Sequence, residues 1–347
     1  MKRILVTGGA GFIGSAVVRL AISRGYEVIN LDSLTYAANL NNVKSVDKSH
    51  LYSFIKMDIC DRENLQKVIF NSQPDAIIHL AAESHVDRSI DAPRKFIETN
   101  IIGTYNLLEG VRAYWNQIGQ PDSFRFHHVS TDEVFGSLDR NDLFTEGTAY
   151  NPKNPYSASK ASSDHLVRSW CSTYGLPVII TNCSNNYGPY QFPEKLIPVT
   201  IISALSGTPI SVYGKGENIR DWLFVEDHAD AILKVLNDGM VGRSYNIGGE
   251  NEIKNIQIVE SICALLDVKL PSQTPYSNLI RYVEDRPGHD FRYAIDPARV
   301  RSELGWRPSV DFQMGLEKTI DWYLNNEVWW RAIEKRSTIG ARLGINV

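Results

Sequence analysis

The chain has 347 residues, too many for one minimal domain and suited to one large α/β unit or to two lobes. Hydrophobic residues at 43% and charged residues at 22% are ordinary globular values, which exclude a disordered chain and allow a sizeable core. The 36 Lys and Arg against 40 Asp and Glu leave a charge of −4, excluding the global basic footprint of a nucleic-acid or anionic-membrane binder.

The N-terminus opens like a secretory leader, with Lys2 and Arg3 ahead of Ile4, Leu5 and Val6, but Thr7 to Gly9 ends the apolar run too soon. No apolar stretch approaches the ~18 to 20 residues of a membrane span, so a soluble protein is expected. Cys60, Cys171, Cys183 and Cys263 are widely spaced, without a C-x-x-C pair or a histidine at ligand spacing. Reduced thiols in a cytoplasm, and no metal, are expected.

Residues 4–7 predict the first strand. It runs into Thr7-Gly8-Gly9-Ala10-Gly11-Phe12-Ile13-Gly14 and a predicted helix over 12–24, the context that a dinucleotide fingerprint requires. Gly8 and Gly11 permit a tight turn that brings backbone N–H groups close to a pyrophosphate, and Gly14 lets the helix pack on the strand. The second predicted strand, Glu27–Asp32, ends in a carboxylate placed to bond a ribose diol and repel a 2′-phosphate, which favours NAD over NADP. A glycine turn with Asp32 as a helix cap is the plainer alternative; the joint placement argues against it. Asp58, after the predicted strand Tyr52–Lys56, fits either an adenine contact or a simple turn.

Further strands are predicted over 76–81, 124–130 and 178–182, alternating with helices over 62–71, 93–115 and Pro155–Tyr174. Strands rich in Val and Ile, joined by helical crossovers, predict an α/β fold with a doubly wound parallel sheet. Ser130-Thr131-Asp132-Glu133 then falls at the carboxyl edge of the sheet, where such folds bind ligands. A hydroxyl there can orient a substrate oxygen, and neighbouring acids in different environments can act as separate acid and base. A capping loop explains any one of these residues but not the set. Tyr156 and Lys160 stand one turn apart on one helix face, and an ammonium beside a phenol lowers its pKa towards that of a usable base. Such a pair alone is common on helix surfaces; behind a dinucleotide fold it points to chemistry. Beyond residue 185, shorter elements separated by Gly and Pro predict a second, smaller α/β lobe, with helices over 226–236, 255–266 and 311–325. The expected division is 1–185 and 186–347, with a soft boundary because such lobes exchange segments.

Seven blocks carry a resemblance: GGAGFIG at 8–14, LAAESHVDRSI at 80–90, STDEVFG at 130–136, YSASKASSDHLV at 156–167, NCSNNYGPYQFPEKLIP at 182–198, RDWLFVEDH at 220–228 and RPGHDFRY at 286–293. The sequence resembles the extended short-chain dehydrogenase/reductase family of NAD-dependent epimerases and dehydratases, and within it the sugar-nucleotide 4,6-dehydratases. The resemblance implies a Rossmann domain with a sugar-nucleotide lobe, NAD as cofactor, dTDP-glucose as substrate and a homodimer paired through the long helices over 93–115 and Pro155–Tyr174. It implies that Tyr156 takes the C4 hydroxyl proton with support from Lys160, that Thr131 holds the C4 oxygen, that Glu133 takes the C5 proton and that Asp132 protonates the departing C6 hydroxyl. It adds Asp58, Ile59, Ala81, Ala82, Thr99, Tyr156, Lys160 and Cys183 to Gly8, Gly11, Phe12, Ile13, Gly14 and Asp32 on the NAD side, with Lys160 touching the nicotinamide ribose. On the sugar-nucleotide side it implies Ser84, Asn185, Lys195, Arg220, Asn255, Arg286 and His289. Arg220 and Arg286 also fit plain surface ion pairs with Asp221 and Asp285. Phe135 and Phe224 stand where the family often has Tyr, keeping the ring and losing the hydroxyl. A sugar-nucleotide 4-epimerase would use the same NAD, Tyr156 and Lys160 but has no task for Asp132 and Glu133; a non-catalytic NAD-binding protein has no task for any of them. Trp329-Trp330 is read as a packed C-terminal anchor.

Overall fold

The computed structural model of the chain describes residues 2–138, 142–285 and 289–334. Its strands are β1 (Arg3–Thr7), β2 (Glu27–Asp32), β3 (Tyr52–Lys56), β4 (Ala76–His79), β5 (Arg125–Thr131), β6 (Val178–Cys183), β7 (Asn185–Tyr187), β8 (Ile210–Tyr213), β9 (Ile219–Phe224), β10 (Ser244–Ile247), β11 (Glu252–Lys254) and β12 (Ile280–Val283). Its α-helices are α1 (Phe12–Ser23), α2 (Arg62–Ser72), α3 (Val86–Asp91), α4 (Pro93–Phe96), α5 (Thr104–Gln117), α6 (Pro155–Tyr174), α7 (Leu196–Leu205), α8 (Val225–Asp238), α9 (Asn255–Lys269), α10 (Ala298–Leu304), α11 (Phe312–Asn325) and α12 (Glu327–Glu334). Among the described residues no helix is long and apolar enough to cross a membrane.

One parallel sheet runs β10-β6-β5-β4-β1-β2-β3. Every residue of β4 and β6 is buried, so these strands lack polar alternation. Chain order reverses between β1 and β4, and the crevice beyond their carboxyl ends is where doubly wound sheets take ligands. The fold is therefore the doubly wound α/β fold expected. Its last strand, β10, pairs with β6 after the chain has already passed through β7 to β9. Two small sheets, β11-β9-β7 and β12-β8, sit over a separate core that includes Tyr187, Trp222, Phe224, Ile258 and Leu316.

Local chemistry sets the helix that carries Tyr156 and Lys160. Asn154 accepts from Ser157 N at 2.9 Å and Ser157 Oγ accepts from Asn154 N at 3.3 Å, a reciprocal cap, while Pro155 opens the first turn. Gly175 closes the helix in the left-handed conformation at φ 71°. The predicted helix over 93–115 is interrupted by a π-helical stretch, Ile97–Gly103. Within it Asn100 donates to Glu83 O and to Ser159 Oγ and accepts from Glu83 N, tying the loop after β4 to α6.

A buried polar hub underlies β5 and β6. Asp164 on α6 accepts from Ser130 Oγ at 2.9 Å and Tyr150 OH at 2.8 Å, and lies 3.1 Å from His128 Nε2. These partners hold its carboxylate below the ordinary range although burial pushes the other way. Burial drives His127 down to about 3 and His128 down to about 4. An unfolded His127 takes up a proton near 6.5, so the stability gained by keeping it neutral is complete above that pH and is lost as pH falls from 6.5 towards 3. His127→Gln can keep a bond to Thr181 Oγ1, which lies 3.0 Å from His127 Nε2, but cannot titrate. Urea unfolding at pH 7 and pH 5 is expected to show a loss of stability smaller by about 2 kcal/mol in the variant than in the unmodified protein.

Candidate active site

The carboxyl ends of β1, β4, β5 and β6 open into a cleft of about 510 Å³. Its floor is the glycine loop. Gly8 has φ 76°, and a Cβ there would lie 2.7 Å from Ala81 N; a Cβ on Gly14 would lie 2.1 Å from Gly8 O. Backbone therefore packs on backbone at both positions, and Gly11 precedes α1 as its N-cap without a side-chain bond. Asp32, at the end of β2, accepts from Ala10 N at 3.0 Å and Leu34 N at 2.8 Å, while burial raises its pKa. Phe12, Ile13, Ile59, Ala81, Ala82 and Thr99 line the same end, Thr99 presented by the π-helical stretch. Asp58 lines it too and accepts from Cys60 N at 2.8 Å, so it also forms the turn.

The middle of the cleft gathers Thr131, Asp132, Glu133, Tyr156, Lys160 and Cys183. Thr131 caps the short turn Asp132–Phe135, accepting from Glu133 N at 3.3 Å and donating to Asp132 Oδ1 at 3.3 Å. Asp132 is 1% exposed, and its Oδ2 has no hydrogen-bond partner among the described residues. Burial, then Glu133 and Asp221, push its pKa well above the ordinary carboxyl range, against a pull from Arg220. Such a group holds its proton more firmly than an ordinary carboxyl. The Cys183 thiol, pushed up to about 12 by burial and Asp132, donates to Ser130 O.

One expectation needs correction. Lys160 was expected to lower the pKa of Tyr156. Instead burial, then Glu133 and Cys183, raise the phenol well above its ordinary value, with the Thr131 hydroxyl pulling it down. Lys160 donates to Val129 O at 2.9 Å, and burial lowers its own pKa. The pair has the right spacing, but a desolvated site outweighs one ammonium whose bond is made elsewhere.

The far end is lined by Ser84, Asn185, Lys195, Arg220, Asn255 and His289. Lys195 Nζ donates to Ser84 O at 3.1 Å, and His289 lies 2.6 Å from Asp285. Oδ1 of Asn185 and of Asn255 are buried without partners among the described residues. Arg220, 5% exposed, donates to Ile219 O, Phe291 O and Asp290 O and lies over Tyr293; Asp221 accepts from Gly249 N and Asn251 N. Arg286 lies outside the described residues. Sequence reading missed Ser33 and Thr35 beside the β2 end, Asn186 and Gln191, and Ser211 and Tyr213 of β8. Ser33 and Thr35 follow the acidic strand end, and Asn186 and Gln191 fall within the block at 182–198; Ser211 and Tyr213 carried no sequence signal.

A cleft of this kind places the chain among α/β enzymes that work with a bound dinucleotide. Comparison narrows the class: residues 5–319 match the profile of the GDP-mannose 4,6 dehydratase family, and the chain belongs to that family. It is 57% identical over 352 residues to the dTDP-glucose 4,6-dehydratase of Neisseria meningitidis serogroup B, covering 99% of each. The crystal structure of dTDP-glucose 4,6-dehydratase from Bacillus anthracis in complex with NAD matches with a TM-score of 0.86 at 46% identity, over 96% of this chain and 100% of that one. The Streptomyces venezuelae dTDP-glucose 4,6-dehydratase, determined with NAD bound, matches with a TM-score of 0.88 at 44% identity, over 95% and 99%. The resemblance read from the motifs is borne out.

Proposed function

We propose that the protein is an NAD-dependent hydro-lyase that converts dTDP-glucose to dTDP-4-dehydro-6-deoxy-glucose and water. The glycine loop, packed so closely that a Cβ at Gly8 or Gly14 would strike neighbouring backbone, and the Asp32 carboxylate fit a dinucleotide. Bound there, NAD supplies a hydride acceptor that is restored within the same cycle. The positive nicotinamide of bound NAD would oppose the burial that raises the Tyr156 phenol, so that Tyr156 takes the C4 hydroxyl proton, with Thr131 orienting the C4 oxygen and Lys160 supporting the tyrosine and the nicotinamide ribose. A ketone at C4 acidifies the C5 proton, which Glu133 removes, and Asp132 gives its proton to the C6 oxygen as water departs; C6 then takes back the hydride and C5 a proton, which gives the 6-deoxy product. Asp132 carries this reading: a buried carboxyl with a raised pKa and a partnerless oxygen, next to Glu133, is a poised acid beside a base.

On the same reading, Asp58, Ile59, Ala81, Ala82, Thr99 and Cys183 complete the NAD side. Ser84, Asn185, Lys195, Arg220, Asn255, Arg286 and His289 hold the nucleotide diphosphate, where guanidinium forks suit pyrophosphate oxygens. The enzyme works in the cytoplasm as a homodimer paired through the helical residues 93–115 and α6, with 1–185 chiefly holding NAD and 186–347 chiefly the sugar nucleotide. A 4-epimerase is less supported, since it leaves Asp132 and Glu133 without a task. Incubation with NAD and, side by side, dTDP-, UDP- and GDP-glucose is expected to give a 4-keto sugar, seen by its alkaline ultraviolet absorption, fastest from the dTDP sugar and without net NADH. Recovery of only the galactose isomer would establish epimerisation instead.

A further inference from the structure

The paired tryptophans near the C-terminus have no part in that chemistry, and they behave differently from each other. Trp330 is buried and its indole N–H donates to Tyr323 O at 3.0 Å, within the packing of α11 and α12. Trp329 reaches across the molecule: its indole N–H donates to Asn42 Oδ1 at 3.0 Å. Asn42 is 1% exposed, and its Nδ2 donates to Ala10 O at 3.1 Å, inside the glycine loop. Ala10 N donates in turn to Asp32.

Chemistry fixes how this amide sits. An indole only donates and a carbonyl only accepts, so Asn42 turns its oxygen to Trp329 and its nitrogen to Ala10; leucine would satisfy neither and aspartate only one. Arg19 on α1 donates to Asn42 O at 2.6 Å, and its guanidinium lies 4.5 Å from the Tyr190 ring centre. Tyr190, at φ 68°, lies 4.6 Å from Trp322 and 6.1 Å from Trp329, ring centre to ring centre. The C-terminal helices are thus joined to the glycine loop through one buried amide, with a cation and an aromatic cluster behind it.

We infer that Trp329 and Asn42 are positioning residues for cofactor binding: α12 holds the Ala10 carbonyl through Asn42, so the glycine loop keeps its N–H groups aimed at a pyrophosphate before the dinucleotide arrives. The inference rests on the cleft being an NAD site. A loop ordered in advance loses less freedom on binding, and the gain appears as affinity.

Trp329→Phe keeps a ring and removes the N–H. In calorimetric titration of the full chain stripped of NAD, the Kd for NAD is expected to rise about 3- to 10-fold, the worth of one neutral hydrogen bond. Hydrogen exchange over residues 8–14, measured without NAD, is expected to quicken while exchange over Phe312–Asn325 stays as in the unmodified protein. Asn42→Ala is expected to give at least the same shift, and adding W329F to it no more, because both cut one connection. Trp330→Phe, the structural comparison, is expected to lower Tm and leave exchange over 8–14 unchanged. W329F with unaltered NAD affinity and unaltered loop exchange, beside an unmodified chain that binds NAD, would overturn the inference alone. An unmodified chain that does not bind NAD would overturn the functional reading and this inference with it.

Discussion

Glu133→Gln is expected to leave C4 oxidation intact and to stop the reaction there, slowing water loss by about 10²- to 10⁴-fold. Two readouts separate the halves. Nicotinamide absorbance of the reduced cofactor should build up on the enzyme, and solvent deuterium should no longer enter C5. A second consequence follows from charge: Glu133 is the strongest charge raising the phenol of Tyr156, so neutralising it lowers that pKa. The pH profile of the oxidation half-reaction should move to lower pH in the variant. Full turnover by E133Q, with deuterium still entering C5, would remove Glu133 from the base role.

Tyr156→Phe is expected to stop the reaction one step earlier. The aromatic ring stays, edge-on to Phe96 at 6.3 Å, so the packing is kept and only the hydroxyl is lost. Oxidation should fall by about 10²- to 10⁴-fold, with neither reduced cofactor nor 4-keto sugar forming. Reduced cofactor building up in Y156F at the rate seen in E133Q would mean that another group takes the C4 proton.

Much of the large sheet was legible because its strands are short and its inner strands are buried on both faces. Glu27–Asp32 and Tyr52–Lys56 have the bounds predicted, as does α6, which Asn154-Pro155 and Gly175 punctuate at both ends. The π-helical stretch Ile97–Gly103 was not legible, since its residues read as ordinary helix and the departure brings Asn100 onto Glu83 and Ser159, contacts distant in sequence. In the cleft, the glycine loop, Asp32, Thr131 to Glu133, Tyr156 and Lys160 could be found because motif and position coincide. Ser211 and Tyr213 could not: β8 is a plain short strand whose path to the cleft depends on its pairing with β12. Nor could spacing give the state of Tyr156, which desolvation decides.

The late arrival of β10 bears on how the protein is made. During synthesis β6 emerges well before Ser244–Ile247, and until then it is an unpaired border of the nascent sheet. A ribosome must deliver β7, β8, β9 and α8 before that border is sealed. Stalled or truncated products ending short of residue 244 would expose it and invite strand-to-strand clumping, so this polypeptide cannot mature strictly from front to back.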